Sequence, residues 1–490
     1  MNVLPPHPEE ARLGRILQGL LRQGRECEWI EFKHNYGDPN GIGEYVSALS
    51  NSAAIHDQEL GFLVWGIQDG SLNVVGTTFD PYKKLSGQVL EHWLTTLCKP
   101  RLGLRFSVFD YEGKRIVMLE VDRAYREPCQ FKSESFVRVG EAKCRLREYP
   151  DKARLLHQRF EVTAFEDLAA RMDVSAEETL ELLDVEAYHE LNERPLPASH
   201  EAKLEPLVSD DLLRVEVSGR YTITNLGALL YARNLSSFGD LVYREVRLVQ
   251  YRGIDRTDAT KEWRFAAGYA CSFEPLREQT MESLPSREIY VGARRVQAPL
   301  CPELAIRELI ANALIHQDFS VKGFGVMVEV FSNRVEILNP GVPVVEPDRF
   351  LDLRKSRNEA FALHMNRLNF CEQRGSGIDK VFRSVEANQL PAPEFRVGKE
   401  QTQVVIFGFK NFDDLDREAR LRACFWHAGL QYVNGSAMTN ASLRARLGIP
   451  EHNSATASRL IADAVKENLV KLKDPNASNK NKSYVPRWAV

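Results

Sequence analysis

The chain has 490 residues, with 43% hydrophobic and 27% charged side chains and a formal net charge of −4. Its length predicts roughly two to four domains rather than one core, and no apolar run is long enough to cross a bilayer. The first ten residues lack a secretory signal pattern and the eight cysteines form no Cys-x-x-Cys pair, so we expect a cytoplasmic protein without disulfide bonds, structural zinc or membrane contact.

The first region, residues 1–160, is predicted to be an α/β domain that begins with an amphipathic helix. A strand over residues 26–33 ends in Glu31-Phe32-Lys33, and strand alternation places Glu31 and Lys33 on one face. A helix over residues 42–52 follows, and then a buried strand, residues 61–67, leads to Asp69. The apolar stripe of the leading helix consists of Leu13, Ile16, Leu17, Leu20 and Leu21.

Carboxylates beside a lysine at adjacent strand ends suit metal-assisted cleavage of a phosphodiester. Carboxylates hold Mg²⁺ or Mn²⁺, the metal lowers the pKa of a bound water, and a lysine stabilises the charge that develops on phosphorus-bound oxygens. The alternative is that these strand ends are charged only because they are solvated. The residues concerned are Glu26, Glu31, Lys33 and Asp69.

Four segments together resemble the Alba-related domain of Schlafen proteins. They are Glu26 with Glu31-Phe32-Lys33, residues 45–51, residues 66–69 and the strand at residues 134–140. In Schlafen nucleases the matching positions form an acidic metal site that cuts structured RNA such as transfer RNA. The resemblance therefore implies that Glu26, Glu31 and Asp69 ligate the metal, with Lys33 beside them. Prokaryotic proteins with this domain also resemble regulators, for which no cleavage is implied.

Residues 161–205 are predicted to be a mostly helical connector that ends in Pro195-Leu196-Pro197. The third region, residues 206–410, contains a helix in which Glu308, Asn312 and His316 recur every four residues and share one stripe. Apolar residues cover the rest of that helix. Buried polar side chains need partners, so this stripe faces either a metal-bound nucleotide or satisfied polar groups of an ordinary core.

Two glycine turns follow this helix. Residues 324–331 alternate as a strand with Val326, Val328 and Val330 on one side, and residues 335–338 form the return strand of a hairpin. The return strand ends in Asn339-Pro340-Gly341. Later, Gly375-Ser376-Gly377 opens an apolar-periodic helix, and such a loop favours close approach of phosphate to a helix N-terminus.

In this order the elements resemble the Bergerat ATP-binding fold of the GHKL group, which includes gyrases and sensor histidine kinases. The resemblance implies that Glu308 orients or deprotonates the attacking water and that Asn312 ligates Mg²⁺. The Gly341 turn would contact adenine, next to Asn339, where the family usually has Asp. The cofactor-binding residues expected for ATP and Mg²⁺, with Mn²⁺ as an alternative ion, are Asn312, His316, Asn339, Gly341, Gly375, Ser376 and Gly377.

The last region, residues 413–490, is predicted to be a winged helix-turn-helix. A helix over residues 439–447 stops at Gly448, a second spans residues 454–468, and residues 470–485 form a hairpin wing. Residues 437–490 hold nine Lys and Arg against four Asp and Glu, which favours phosphate contact over the alternative of a protein-binding winged helix. The second helix's core stripe is Leu460, Ile461, Ala464 and Val465, and the candidate nucleic-acid contacts are Thr456, Arg459, Lys466, Lys480 and Lys482.

Taken together, the segments resemble a prokaryotic Schlafen-like protein with a divergent ATPase domain. The predicted fold is α/β and multidomain, with an Alba-like domain, a Bergerat-like α/β sandwich and a winged helix. One hypothesis is an ATP-gated, metal-dependent nuclease that acts on DNA or structured RNA, for instance in defence against phage. The others are an ATP-responsive DNA-binding transcriptional regulator and an ATP-dependent scaffold. A homo-oligomer is expected in each case.

Overall fold

The protein is represented by a computed structural model that describes residues 8–23, 26–68, 70–85, 87–125, 127–162, 164–216, 218–291, 294–371, 377–478 and 481–490. The chain divides into two compact units. The first comprises residues 1–175 and 213–223, and the second comprises residues 176–212 and 224–490. No helix among the described residues is long and apolar enough to cross a membrane.

The helices and strands are numbered along the chain. The helices are α1 Pro8–Arg22, α2 Pro39–Ile55, α3 Leu90–Leu97, α4 Pro150–Val162, α5 Ala176–Leu182, α6 Val185–Leu191, α7 His200–Ser209, α8 Asn225–Tyr231, α9 Tyr269–Ser283, α10 Glu303–Ile315, α11 Glu359–Arg367, α12 Gly377–Ala387, α13 Arg417–Val433, α14 Asn440–Leu447 and α15 Ser454–Lys466. The strands are β1 Ile30–Lys33, β2 Leu60–Trp65, β3 Lys84–Leu85, β4 Gln88–Val89, β5 Cys98–Lys99, β6 Leu104–Tyr111, β7 Lys114–Asp122, β8 Gln130–Phe131, β9 Glu134–Val139, β10 Ala142–Arg145, β11 Ala169–Val174, β12 Leu213–Val215, β13 Tyr221–Thr224, β14 Val246–Tyr251, β15 Ala259–Phe265, β16 Ser286–Val291, β17 Arg294–Pro299, β18 Met327–Val330, β19 Arg334–Pro340, β20 Glu394–Val397, β21 Gln401–Phe407, β22 Val470–Leu472 and β23 Tyr484–Pro486.

The first unit is built on a four-stranded sheet in the order β1-β2-β7-β6. β1 and β2 run in parallel, and the other pairs are antiparallel. A second sheet has the order β10-β9-β8-β5, and α2 contacts strands of both sheets. Helix α1 buries Leu13, Ile16, Leu17 and Leu20 as its periodicity predicts, while Leu21 is only half-buried.

Glu26 does not lie on the first strand, contrary to the sequence prediction. β1 begins at Ile30, and Glu26 precedes it in a turn where its Oε1 accepts a hydrogen bond from the Phe32 amide at 3.0 Å. The alternation of residues 26–33 predicts a strand. It does not show that the Phe32 amide binds the Glu26 side chain rather than a neighbouring strand.

The connector also differs from its predicted, mostly helical structure. Residues 169–174 form β11, which belongs to a three-stranded sheet in the order β11-β13-β12. Ala169, Arg171 and Met172 favour helix in isolation, but pairing with a neighbouring strand overrides that preference. The helices predicted for the remainder of this stretch are present as α5 and α6.

Helix α2 carries buried polar side chains that form hydrogen bonds with backbone groups of neighbouring segments. The Asn51 amide donates to the carbonyl oxygens of Cys129 at 2.9 Å and Phe136 at 2.7 Å, and its Oδ1 accepts from the Cys129 amide at 2.8 Å. Ser47 donates to the Cys129 carbonyl and accepts from the Phe136 amide. These bonds attach α2 to β9 and to the segment before β8.

The second unit contains a six-stranded mixed sheet in the order β15-β14-β18-β19-β21-β20. β14 and β18 are parallel, and the other neighbours are antiparallel. The predicted hairpin is confirmed as β18 and β19, and Val326, Val328 and Val330 are buried. Helix α10 packs against α9, α12 and β19, so it lies on the helical face of this sheet.

The C-terminal module, residues 413–490, has the predicted order of helix, turn, helix and hairpin after α13. Thr439 caps α14, and Gly448 ends it with a φ of 66°, a conformation that glycine adopts without strain. β22 and β23 form an antiparallel hairpin. Leu460, Ile461 and Ala464 are buried in α15, but Val465 is 42% exposed, so its assignment to the core stripe was wrong. It lies beyond the edge of the stripe that faces α13 and α14.

Asn51→Ala is expected to loosen the attachment of α2 to β9. The substitution removes the Asn51 bonds to the buried Cys129 amide and Phe136 carbonyl, at a cost of about 2–4 kcal/mol. Hydrogen exchange should show a loss of protection of roughly 30-fold or more in the amides of residues 134–139. The exposed control Asn73→Ala should leave their exchange unchanged, and equal protection in both variants would contradict this account.

Candidate functional site

Helix α10 is apolar around most of its surface, and the structure buries nearly all of it. Glu308 is 1% exposed, Asn312 is half-buried, and Ala305, Leu309 and Ile310 are buried around them. The helix ends at Ile315, so His316 is its C-cap rather than the last member of a helical stripe. The His316 amide donates to the Asn312 carbonyl at 2.9 Å, and its side chain is exposed.

A cavity of about 550 Å³ opens beside α10. Five of the residues expected to bind nucleotide or activate water line this cavity, although they come from three separate segments of the chain. They are Glu308, Asn312, His316, Asn339 and Gly377. The cavity is large enough for a mononucleotide, and its walls combine apolar surface with a few polar groups, as small-molecule sites do.

Glu308 and Gly377 line the cavity and lie close together. A Cβ added at Gly377 would lie 2.5 Å from Oε2 of Glu308, so no other residue fits there without displacing the carboxylate. Gly377 is also the first residue of α12. The buried carboxylate therefore lies next to a helix N-terminus, where backbone dipoles favour negative charge.

The turn after β19 forms another part of the site. Gly341 has a φ of 99°, and its amide donates to the Glu400 carbonyl at 2.7 Å. Its own carbonyl oxygen accepts from Thr402 Oγ1 at 2.7 Å. Asn339, the neighbour of Thr402 across the β19–β21 pair, donates from Nδ2 to the Pro340 carbonyl at 3.3 Å. This bond leaves the Asn339 Oδ1 as an acceptor at the cavity wall.

Several predicted residues fall outside the described part of the chain. Gly375 and Ser376 lie in the undescribed segment 372–376, Lys480 lies in the undescribed segment 479–480, and Asp69 is a single undescribed position. Gly341 is described but is not among the residues that line the cavity; it shapes the wall through Thr402.

Sequence reasoning missed part of the cavity lining. Phe350 and Phe395 provide aromatic wall, Thr402 lies on β21, and Arg354 with Lys355 provide positive charge. The polar run from Arg354 to Asn358 between β19 and α11 is a signal that could have drawn attention to the two cations. The aromatic and threonine positions carry no such signal, because only the strand register brings them to the cavity.

The residues after Lys355 are held firmly to the end of α10. Arg357 Nη1 lies 2.8 Å from Asp318 Oδ2, and its Nη2 donates to the Val342 carbonyl at 2.9 Å. Asn358 is buried and donates to the carbonyl oxygens of Ile315 and Gln317 at 2.7 and 2.8 Å. Burial raises the pKa of Asp318, but hydrogen bonds from Ser320 and the charge of Arg357 outweigh it, and the net pKa lies below its usual value.

The predicted acidic site of the first unit is an ion-pair cluster around a buried arginine. Glu31 is 1% exposed and Arg138 is fully buried, and their side chains are in direct contact. Glu31 Oε1 also lies 2.6 Å from Lys33 Nζ, and Glu26 Oε2 lies 3.2 Å from Arg138 Nη2. Burial lowers the pKa of Arg138, and the charge of Glu26 opposes this.

The cluster joins three of its predicted members, Glu26, Glu31 and Lys33. Arg138 lies next to both glutamates and pairs with them. Among the described residues, no group of three or more His, Cys, Asp or Glu side chains is arranged to hold a metal. Metal ligation by Glu26 and Glu31, with Asp69, stays a prediction.

The candidate nucleic-acid contacts lie on the C-terminal module. Arg459 and Lys466 are exposed on α15, and because they are seven residues apart they lie on the same side of the helix. Thr456 is half-buried and accepts a hydrogen bond from Arg459 Nη2 at 3.3 Å, while Lys482 before β23 is half-buried. The exposed face of α15 is therefore available for phosphate contact.

Comparisons with known proteins match the two sites separately. A family model of "Schlafen, AlbA_2" matches residues 26–147, and one described as "Putative ATP-dependent DNA helicase recG C-terminal", of the HATPase_c_4 family, matches residues 323–406. No curated protein matches the chain. Among solved structures, the crystal structure of the DIP2311 protein from Corynebacterium diphtheriae is 15% identical and covers 98% of each chain. Its TM-score of 0.43 is too low to support a shared fold.

The family matches include the ion-pair cluster of the first unit and the β18–β19 side of the cavity. They support a protein that uses ATP and interacts with nucleic acid. The mixed α/β structure agrees with an AlbA-type domain and an ATPase-like domain. The chain thus carries a Schlafen AlbA_2 domain and a HATPase_c_4 domain, a combination that is consistent with a Schlafen-like protein of the prokaryotic type.

Proposed function

We propose that this protein binds nucleic acid under the control of ATP, with ATP held in the cavity beside α10. The observation that carries the proposal is the convergence of Glu308, Asn312, Asn339 and Gly377 on that cavity. These residues come from three elements, α10, β19 and α12, so their convergence follows from the fold. Binding and hydrolysis of a metal-bound triphosphate need an acid, an amide and a helix that begins with glycine. These four residues supply all three.

Each part of the cavity suits one part of ATP. The Asn339 Oδ1 accepts from the adenine amino group, and Phe350 and Phe395 provide apolar and aromatic surface. The phosphates lie towards the N-terminus of α12, because the amides and dipole at the start of a helix favour anions. Glu308 is close enough to that end to orient a water molecule for attack on the terminal phosphate.

The residues also fit a magnesium ion that accompanies the nucleotide. Mg²⁺ in nucleotide sites is usually held by one or two protein oxygens together with phosphate oxygens. Asn312 lines the cavity one helical turn after Glu308 and supplies an amide oxygen for this role. When bound, the ion neutralises phosphate charge. Asn312 would hold the ion, and Glu308 would accept a proton from the attacking water.

The cavity is linked to the C-terminal module by packed aromatic rings. Phe350 and Phe395 line the cavity, with ring centroids 5.0 Å apart. Phe395 lies 5.9 Å from Trp426 of α13, which in turn lies 4.4 Å from Phe382 of α12. Because packed side chains transmit small displacements, a nucleotide that moves the cavity wall also acts on α13.

Helix α12 provides a second link. It begins at Gly377 in the cavity, and near its other end Glu386 lies 3.0 Å from His427 Nδ1 and 3.3 Å from Arg446 Nε. Arg446 is buried and also donates to the Leu390 carbonyl at 2.6 Å. Both partners of Glu386 belong to the C-terminal module. ATP occupancy therefore favours one placement of α13 and α14, and with them of α15.

Nuclease activity is the less supported proposal. It requires Glu26, Glu31 and Asp69 to hold a metal, whereas Glu26 and Glu31 contact Arg138 and Lys33. A role in defence against phage depends on the same activity. We therefore prefer a regulator, in which the first unit contributes nucleic-acid contact without cleavage. Assembly into a homo-oligomer stays a prediction.

Substitutions in α10 test the ATP site. Asn312→Ala is expected to remove the Mg²⁺ dependence of ATP binding, because it deletes the protein ligand. Glu308→Gln should bind ATP and lose hydrolysis, by about 100-fold or more, since the general base is removed. Calorimetry measures binding and phosphate release measures turnover. The exposed control Glu303→Gln on the same helix should behave as wild type, and unchanged ATP affinity in Asn312→Ala would refute the assignment.

Substitutions on α15 test the nucleic-acid surface. Arg459→Ala/Lys466→Ala should weaken binding to DNA or RNA and reduce the slope of log K against log salt by about two, because each phosphate contact releases about one counterion. Fluorescence anisotropy of a labelled duplex, with and without ATP·Mg²⁺, gives both affinity and ATP response. The control Arg252→Ala/Lys261→Ala removes two exposed cations from the β14–β15 hairpin. An unchanged slope in the α15 variant would indicate a protein-binding module instead.

A substitution in the ion-pair cluster tests whether Glu31 has a structural role or a role in cleavage of nucleic acid. Glu31→Ala should destabilise β1 and β9 by about 3 kcal/mol or more, because it removes a carboxylate from a fully buried arginine. Hydrogen exchange of those strands measures the loss, with the exposed Glu127→Ala as control. The wild-type protein with Mn²⁺ should leave transfer RNA and DNA intact. Metal-dependent cleavage that Glu31→Ala abolishes without a loss of protection would restore the nuclease proposal.

A further inference from the structure

We infer that the edge strand β15 pairs with β15 of a second copy of this chain, so that two six-stranded sheets join into one across a two-fold axis at Trp263. Among the described residues, the sheet order β15-β14-β18-β19-β21-β20 gives β15 a neighbour on one side only. The edge of a strand presents amide and carbonyl groups that can bond to another strand. This assembly surface lies outside the cavity beside α10, and its use does not depend on nucleotide.

The hydrogen bonds of β14 show which backbone groups of β15 point outwards. The Arg247 amide donates at 3.1 Å to the carbonyl of the residue before β18, so its backbone groups face away from β15. Successive residues of a strand direct these groups to opposite sides, and Leu248 therefore bonds to Trp263, which lies opposite it. Glu262 and Arg264, the neighbours of Trp263, consequently direct their amide and carbonyl groups to the outer edge.

The regular part of this edge is a short window centred on Trp263. On one side the β14–β15 register shifts, and Thr260 has no partner in β14. On the other side the Ala266 carbonyl accepts a hydrogen bond from the Leu235 amide at 2.8 Å, which ends the open edge. The window comprises residues 261–265, which are exposed or half-buried. A strand added here would thus be limited to about five residues.

The charges within the window are complementary to themselves. When two copies pair antiparallel about Trp263, Glu262 of each copy lies opposite Arg264 of the other. These residues carry the outward backbone groups, so each pair also exchanges two main-chain hydrogen bonds. A shift by two residues in either direction would place Glu262 opposite Glu262 or Arg264 opposite Arg264, and like charges directly opposite are destabilising. The charge pattern therefore favours one register.

Charged residues on an edge strand usually oppose pairing with another strand, but here their signs alternate so that pairing brings opposite charges together. Within one chain, Glu262 Oε1 lies 2.9 Å from Arg247 Nη2 and 3.3 Å from Arg264 Nε. All three side chains are exposed, and exposed ion pairs contribute little to stability. Sharing the Glu262 carboxylate with Arg264 of a second copy therefore costs little.

The opposite face of the strand adds apolar contact. Trp263 and Phe265 are half-buried there, and Lys261 Nζ lies 5.9 Å from the centre of the Trp263 ring. In the proposed register the two Trp263 side chains meet in a non-hydrogen-bonded pair, where side chains approach most closely. Aromatic cross-strand pairs stabilise a sheet. Because the interface is small, we expect a dimer that forms at micromolar concentration rather than an obligate one.

Charge reversal tests the pairing and its register. Glu262→Arg places arginine opposite arginine, and Arg264→Glu places glutamate opposite glutamate. Each variant alone should therefore dimerise about 10-fold or more weakly than the wild type. In an equimolar mixture, arginine of one variant lies opposite glutamate of the other at both positions, so dimers should form again. Sedimentation equilibrium over a range of protein concentrations measures association in each sample.

The matched controls are Arg417→Glu and Glu467→Arg, which reverse the charges of an exposed ion pair on the C-terminal module and should dimerise as the wild type does. A wild type that stays monomeric refutes the inference, as does a dimer that the two edge variants leave unchanged. If both edge variants are folded by circular dichroism melting and their mixture does not associate, the register is refuted.

Cross-linking gives a second readout that does not depend on charge. Trp263→Cys places two thiols opposite each other, at a Cα–Cα distance of about 4.5 Å that a disulfide can span. Oxidation should give a covalent dimer on non-reducing gel electrophoresis. In Lys261→Cys the thiols are offset by about 13 Å and should not exceed the background from the eight native cysteines. Equal cross-linking of the two variants, or none with Trp263→Cys, would contradict the pairing.

Discussion

The second unit depends on the close approach of the Glu308 carboxylate to the backbone of Gly377. The two residues line the cavity together, and Gly377 is the first residue of α12. A Cβ at position 377 would lie 2.5 Å from Oε2 of Glu308 and would displace the acid. Because α12 also carries Glu386, the same contact decides where His427 and Arg446 are held. Nucleotide chemistry and the placement of the C-terminal module thus share one helix.

Two glutamates with the same 1% exposure lie in different surroundings in this chain. Glu31 contacts Arg138 and Lys33, so its charge is neutralised within an ion-pair cluster of the first unit. Glu308 lies next to the first residue of α12 and lines a cavity. Burial of a carboxylate is costly in either place. The cluster around Glu31 supports structure, whereas the position of Glu308 at a cavity wall lets it act on a ligand.

Local signals in the sequence predicted the elements that depend on local physics. The hairpin of β18 and β19, the helix α10 and the stop at Gly448 follow from alternation, periodicity and glycine conformation. Contacts between distant positions could not be read in this way. Arg138 is more than one hundred residues from Glu31, and nothing near Glu31 indicates which cation it will meet. β11 similarly exists because of a partner strand, and Phe395 reaches the cavity only through the register of β20.

The shared core of the second unit has a consequence for how the chain can be divided. Leu351, Phe382 and Ala392 are buried in one cluster with residues of α13, α14 and α15. A truncation at residue 412 would bare that apolar surface, and a transplanted C-terminal module would lack the side chains that complete its interior. The sequence alone suggests a domain boundary between α12 and the C-terminal module. Recombination between relatives should nevertheless preserve the two together, because they share one core.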